Sequence, residues 1–274
     1  MFTSRDIADY YNQTLNHYQR WWKLDKVMSV HYGYWDGTTR NFQEALLRLN
    51  DVMALMVQME SGYNVLDAGC GVGGSLFYLA GKFGIQGTGI TLSEKQLEFA
   101  EKFKIKSGYA KSLNFRLEDY CNTSFPDNTF DVIWCIESIT STAEKEKFAK
   151  EAYRLLKKQG KLIVADYYKI TGHQLLEKWR KTWSMAPFVT SEEFEKKILS
   201  AGFVLIDKRD ITGNIYPTSL RMYRASLLGA LPSVIYNLTH NTSRFAKKHY
   251  LSGIYQYKAL KKELWEYNLH LFEK

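Results

Sequence analysis

The sequence predicts an α/β fold: a doubly wound, seven-stranded, mostly parallel sheet with helices on both faces. Three observations carry this. Apolar runs near 63–67, 86–91, 112–118, 130–136 and 161–168 alternate with helical stretches near 74–83, 93–107 and 143–158, and such alternation builds a parallel sheet covered on both sides. The first run ends in Val65-Leu66-Asp67-Ala68-Gly69-Cys70-Gly71-Val72-Gly73-Gly74-Ser75-Leu76, which reads as strand, tight turn and helix. Near the end, Glu263 to Phe272 alternates as a last strand, expected to close the sheet as an antiparallel hairpin.

Taken in order, residues 4–26 carry Tyr10, Tyr11, Leu15, Tyr18, Trp21 and Trp22 at helical spacing, an amphipathic helix with an aromatic face. Val30-His31-Tyr32-Gly33-Tyr34-Trp35-Asp36-Gly37 sets two glycines among aromatics and reads as a loop. A helix over about 41–60 leads into the first strand. Ser93 and Gln96 have capping-box spacing at the start of the 93–107 helix. After the fifth strand come helices near 172–183 and 190–200 and a strand near 203–211. Residues 212–258 hold no clear strand and read as helical, broken at Gly229 and Pro232. An insertion of about 45 residues before the last strand is long for a connection and points to function. The expected organisation is one domain: a helical segment over 1–60, a ligand-binding core over 61–211, a helical cap over 212–258 and a final strand over 259–274.

Glycines at 69, 71 and 73 let backbone approach a ligand, and the helix that follows aims free N–H groups at it. Gly69, Gly71 and Gly74 also satisfy G-x-G-x-x-G, the dinucleotide pattern. A dinucleotide site wants an acid after the second strand, where Gly87-Thr88-Gly89-Ile90-Thr91 has none, and Asp67 would repel a pyrophosphate. A cation suits the turn better, such as the sulfonium and ammonium of S-adenosylmethionine. Ligands of open α/β sheets sit at the carboxyl ends of the strands. That rule selects Asp67, then Thr91 and Leu92, then Glu118, Asp119 and Tyr120, then Ile136, Glu137 and Ser138.

Val65 to Ser75 resembles the first motif of the class I S-adenosylmethionine-dependent methyltransferases, whose sheet is Rossmann-like. Gly89 to Gln96 and His31 to Trp35 resemble a narrower group with sterol, tocopherol, sugar and terpenoid acceptors, and more distantly the cyclopropane fatty-acid synthases. The resemblance implies that the Gly69–Gly73 turn, with Cys70, holds the amino-acid half of the cofactor. It implies that Gln96 reaches the ribose hydroxyls, that Asp119 accepts from the adenine amino group with Tyr120 flanking the ring, and that the loop with Tyr32 covers the methionine half. The N-terminal helix is then a lid, and Tyr10, Tyr18, Trp22 and Trp35 are expected to bind the acceptor. Glu137 leaves an apolar strand toward the transferred methyl, where a carboxylate can stabilise a cation or accept a proton. It is the first candidate catalytic residue, and His31 the second; His173 and His240 are further candidate bases.

Composition narrows the partners. Hydrophobic residues make up 45%, enough for a core, and aromatics reach 15%, of which many can simply pack while several cluster outside the expected core elements. The formal charge of +8 admits anionic lipid, nucleic acid or a phosphorylated substrate, but no compact Arg/Lys track is present, so nucleic acid is not expected. Cys70, Cys121 and Cys135 are odd in number and lack metal spacing, which suits a reduced, cytoplasmic protein without a metal. No signal peptide and no stable membrane insertion are expected, since the longest apolar run, Ala225 to Tyr236, is interrupted. A homodimer is compatible with the sequence. The expected activity is methyl transfer to a small molecule: first to carbon of a lipophilic, isoprenoid-like acceptor, then to oxygen or nitrogen of a natural product. A dinucleotide oxidoreductase and a non-catalytic cofactor-binding protein are the other classes.

Overall fold

The structure, a computed structural model, describes residues 2–22, 24–239 and 245–274. His240 and the ring of Trp21 lie outside the described residues. Strands β1 (Asn64–Ala68), β2 (Gln86–Thr91), β3 (Leu113–Leu117), β4 (Phe130–Ile136), β5 (Leu156–Lys169), β6 (Val204–Asp210) and β7 (Trp265–Glu273) form one sheet in the order β3-β2-β1-β4-β5-β7-β6. The first five are parallel, and β7 runs antiparallel to both β5 and β6. Chain connections leave in opposite directions from β1 and β4, so the crevice for a ligand opens at their carboxyl ends.

Helices are α1 (Ser4–His17), α2 (Leu24–Val27), α3 (Phe42–Val57), α4 (Gly74–Phe83), α5 (Glu94–Ser107), α6 (Lys145–Leu155), α7 (Gln174–Thr182), α8 (Ser191–Leu199), α9 (Thr212–Thr239) and α10 (Ser252–Leu260). Strand periodicity sends alternate residues to two cores. Val65, Val132 and Trp134 pack toward α3, α4, α7 and α10, where Leu49, Met53, Leu76, Trp179 and Leu260 lie. Leu66, Ile133 and Cys135 pack toward α6 and α8, against Phe148, Ala152, Phe194 and Ile198. Trp265, Trp179, Tyr32 and Tyr167 join in one aromatic cluster, with Trp179–Trp265 centroids 4.9 Å and Tyr32–Trp265 centroids 5.8 Å apart.

Four local features differ from the sequence expectation. The 4–26 helix ends at His17 and continues as a wider π turn over Tyr18–Trp22 before α2. The Tyr18 hydroxyl there is tied to Tyr10 and His249. Lys157-Lys158-Gln159 has helical composition, yet β5 begins at Leu156 and bulges. Lys157 pairs with Asp131 at 2.8 Å, and Gln159 takes φ 63° and donates its N–H to Lys274. Tertiary partners override propensity here. Ser93 caps α5 by accepting from the Gln96 N–H, but the Gln96 side chain turns to Thr91, leaving half a capping box. Helix α9 is not broken: it runs through Gly229 and Pro232. Pro232 lacks the N–H that would bond Leu228, and that stretch is solvent-exposed, so water can serve the carbonyl.

Trp265 is fully buried and donates its indole N–H to the Gln256 carbonyl at 3.0 Å. Trp265→Ala is expected to lower stability by about 3–5 kcal/mol, the range for a buried Trp, read from urea unfolding; a loss under about 1 kcal/mol would show that α7, α10 and β7 do not depend on this contact.

Candidate functional site

Beyond the ends of β1, β2 and β4 lies a narrow cavity of about 100 Å³, lined by Asp67, Gly69, Cys70, Gly71, Thr91, Leu92, Gln96, Glu118, Tyr120, Ile136, Glu137 and Ser138. The turn fits backbone to ligand. A Cβ on Gly69, at φ 93°, would stand 2.5 Å from the Ser138 Cβ. A Cβ on Gly71, at φ 55°, would meet only the Gln96 amide nitrogen at 3.9 Å, so this residue faces the cavity. Gln96 accepts from the Thr91 hydroxyl at 2.8 Å through its oxygen, which leaves its NH₂ turned inward.

Asp67 forms the floor. Burial pushes its carboxyl up to about 8, and among the described residues no hydrogen bond or ion pair reaches it. Asp166 is a useful contrast: it is equally buried, yet it receives N–H groups of Thr140 and Tyr167 at 2.9 Å and the Thr140 hydroxyl, and burial raises it only to about 6. A buried carboxylate without partners is costly. One at the base of a ligand cavity is matched by a cationic ligand group.

Glu137 closes the inner end. It takes φ 51°, a strained value for a non-glycine residue, immediately after β4. Its Oε1 accepts from the Tyr32 N–H at 2.6 Å and the Tyr267 hydroxyl at 2.9 Å, while Oε2 has no partner among the described residues. Burial pushes the carboxyl up to about 8, against the lowering effect of those two donors. His31 stands beside it. Its Nδ1 lies 2.8 Å from the Tyr32 carbonyl, which can only accept, so Nδ1 carries the proton. Burial lowers its pKa to about 4, and the buried Nε2 is a bare acceptor without a partner among the described residues.

A second cavity of about 790 Å³ adjoins the first, between the sheet, α1 and the α9–α10 region. Tyr11, Val30, His31, Glu137 and Ser141 line both, so the two spaces meet at these side chains. Tyr10, Tyr18, Trp22, Tyr167, Trp183 and Met222 form much of its apolar wall. Tyr10, Tyr18 and His249 meet within 3.3 Å and bridge α1 to the turn before α10.

The structure brings most sequence-selected residues to these walls, but not all. Tyr32 lines the larger cavity and sends its hydroxyl to Gln256 at 2.9 Å. Gly73 starts α4 behind the turn, against Phe115. Asp119 is outside the cavity wall; Ser4 and the Cys121 N–H, each at 2.9 Å, hold its two oxygens. Trp35 is outside as well, its indole N–H given to Thr218 at 2.9 Å, which pins the loop to α9. His173 caps α7, accepting from the Leu175 N–H at 3.0 Å, and lines neither cavity. Ser141, Met222 and Tyr267 are not selected by the sequence, and Tyr11 is read there only as part of the aromatic helix face, not as a site residue. Tyr11 had its helical spacing as a signal; Tyr267 had none, because the antiparallel register of β5 and β7 places it.

With this geometry in view, comparison with known proteins is specific. Residues 66–164 match the model of a methyltransferase domain. The chain is 32% identical over 222 residues to 2-methyl-6-phytyl-1,4-hydroquinone methyltransferase of Synechocystis sp., covering 74% of this chain and 66% of that protein. It is 32% identical over 149 residues to 27-O-demethylrifamycin SV methyltransferase of Amycolatopsis mediterranei, covering 54% of this chain and 55% of that protein. The matched stretches thus span little more than half to about two thirds of these relatives. Its fold is similar to that of the [4+2]-cyclase SpnF, with TM-score 0.83 at 24% identity, covering 99% of this chain and 96% of that one. The chain belongs to the class I S-adenosylmethionine-dependent methyltransferases. Its cofactor is S-adenosylmethionine. The residues present fit that molecule: the inward Gly71, the Gln96 amide and the unpartnered Asp67 carboxylate match its backbone approach, hydroxyls and ammonium.

Because Asp67 is protonated below about 8 in the free protein, a bound cation should release that proton. Calorimetry of S-adenosylmethionine binding at pH 6.5 in buffers of different ionisation enthalpy should report up to one proton released, and affinity should rise toward pH 8. Asp67→Asn should abolish the release and weaken binding by about 1.5–3 kcal/mol, the scale of a charged hydrogen bond. Unchanged proton release in the variant would assign the titration to another group.

Proposed function

We propose that this protein transfers the methyl group of S-adenosylmethionine to a lipophilic small molecule held in the larger cavity. The observation that carries the reading is the junction: a glycine-turn cavity meets a large aromatic one at Glu137, His31 and Tyr11. Bound S-adenosylmethionine supplies an already activated methyl group, so the protein has mainly to align the acceptor and exclude water. The helices over 1–60 serve as a lid and those over 212–258 as an acceptor cap. A cavity of about 790 Å³ suits an acceptor of drug size or larger. The relatives named for a phytyl hydroquinone and for a demethylrifamycin favour a large ring-bearing acceptor.

Carbon is the first-ranked target. Attack by a carbon of an alkene or electron-rich ring leaves a cation and then sheds a proton. The Oε2 of Glu137, without a partner among the described residues, stabilises the one and takes the other. Tyr32 and Tyr267 hold the carboxylate in place from Oε1. Oxygen is the second target, favoured by His31: a neutral imidazole with a bare Nε2 at the junction can take the proton of an acceptor hydroxyl.

The two readings separate in one experiment. The protein is incubated with isotope-labelled S-adenosylmethionine and a panel of prenylated phenols and isoprenoids, and the labelled position is read by mass spectrometry and NMR. Carbon transfer predicts that Glu137→Gln lowers turnover about 10²–10⁴-fold with cofactor affinity nearly unchanged. The wild-type rate should rise with pH toward about 8 as Glu137 ionises, and the variant should lose that rise. Oxygen transfer predicts a labelled methoxy group and the larger loss in His31→Asn. No labelled product from any acceptor, with tight cofactor binding, would leave a binding protein and overturn the proposal.

A further inference from the structure

The net charge of the chain is not spread evenly. Residues 211–262 contain eight Lys and Arg and no Asp or Glu; the rest of the chain, with 29 Lys and Arg against 29 acids, is neutral. The whole excess of +8 therefore lies in the segment that holds α9 and α10.

The same segment carries an apolar outer face. On α9, Leu227, Leu228, Leu231, Val234 and Leu238 recur at helical spacing and fall on one side of the helix. Leu228 is 80% exposed, Leu231 69% and Leu238 81%. The other side of α9, with Met222, Ser226, Gly229, Pro232 and Ser233, lines the larger cavity. From Ala225 to Leu238 the sequence has no charged residue. Basic residues stand at both ends instead: Arg224, exposed and on the apolar side by spacing, and exposed Lys247 and Lys248, the Lys247 carbonyl accepting from the Asn237 side-chain amide at 3.0 Å. No described helix is long and apolar enough to cross a membrane.

We propose that α9 docks its outer face on an anionic lipid surface, lying in the interface with Leu228, Leu231 and Leu238 in the acyl boundary and the flanking lysines and arginines at the headgroups. An exposed apolar helical face framed by basic residues and free of acids has the chemistry of an interfacial helix. A second copy of the chain would set two faces of the same positive charge together, which disfavours it as the occupant. The helix then stands between the membrane and the acceptor cavity, so a lipophilic acceptor can be drawn from the bilayer past a single layer of protein.

The test is flotation of the intact protein with vesicles of phosphatidylcholine alone or with phosphatidylglycerol added. Binding is expected to the anionic vesicles, to fall steeply in high salt, and to be weak on the neutral ones. Leu228→Glu combined with Leu231→Glu should cut the bound fraction by about tenfold or more, with circular dichroism and S-adenosylmethionine affinity unchanged. Lys247→Gln with Lys248→Gln should weaken binding and its salt dependence while leaving the apolar face intact. No binding of the wild type to anionic vesicles, or equal binding by the leucine variant, would overturn the proposal. So would light scattering that shows a wild-type dimer split by the leucine variant, since the face would then belong to a second copy.

Discussion

The structure depends on what the Glu137 carboxylate holds together. It emerges from β4 at a positive φ, and its Oε1 ties down the Tyr32 N–H from the N-terminal loop and the Tyr267 hydroxyl from β7. Three segments distant in sequence meet at one oxygen. Tyr32 passes the constraint on, through its hydroxyl to Gln256, which is also bonded to Ser219 and Gly253. Gly33 and Trp35 add bonds to Thr218 of α9. The loop over the ligand crevice and the cap over the larger cavity are thus positioned from the end of a core strand. Strain of this kind survives only where surrounding contacts over-determine it.

Much of this was legible in the sequence, for a physical reason. Strand ends in an open parallel sheet have fixed spatial meaning, so Asp67, Thr91, Tyr120 and Glu137 could be placed from the alternation alone. The Gly69–Gly73 turn identified its own role through the absence of side chains. Residues outside the sheet were less readable. Trp35 and Tyr32 sit three apart in one aromatic run, and nothing local says that one ring pins α9 while the other backs the cavity. Asp119 has the right place in the chain, yet one of its oxygens is held by Ser4, 115 residues earlier, and the other by the Cys121 N–H. Helix α9 has the composition of a broken element and is continuous, because its two faces are set by the cavity on one side and an exposed apolar surface on the other.

The electrostatics of the site follow from which buried acids have partners. Asp166 lies on β5 with three donors and Lys145 nearby, and it is a structural acid whose charge is matched within the fold. Among the described residues, Asp67 has no such partner and Glu137 has donors on one oxygen only. Folding alone gives neither carboxylate a counter-charge, so both sit high, at about 8. Asp67, at the floor, and Glu137, at the inner end of the same narrow cavity, are therefore protonated at neutral pH in the free protein, and a cation entering beside Asp67 favours its ionised form.

The placement of His31 follows from the same reasoning. A histidine buried in an aromatic loop is ordinarily satisfied at both nitrogens or left to pack. Here the Tyr32 carbonyl fixes the tautomer, and burial keeps the ring neutral. His31 lines both cavities, and its Nε2 is buried without a partner among the described residues. Glu137 and His31 therefore offer two different proton acceptors to one junction, a carboxylate that ionises near pH 8 and an imidazole that is neutral across the physiological range. In the proposed function, which of them an acceptor meets is decided by its own shape against Tyr11, Tyr18 and Trp22, which line the larger cavity. On the proposed reading the same constellation serves carbon or oxygen chemistry, and the selectivity resides in the aromatic wall rather than in the acids and bases.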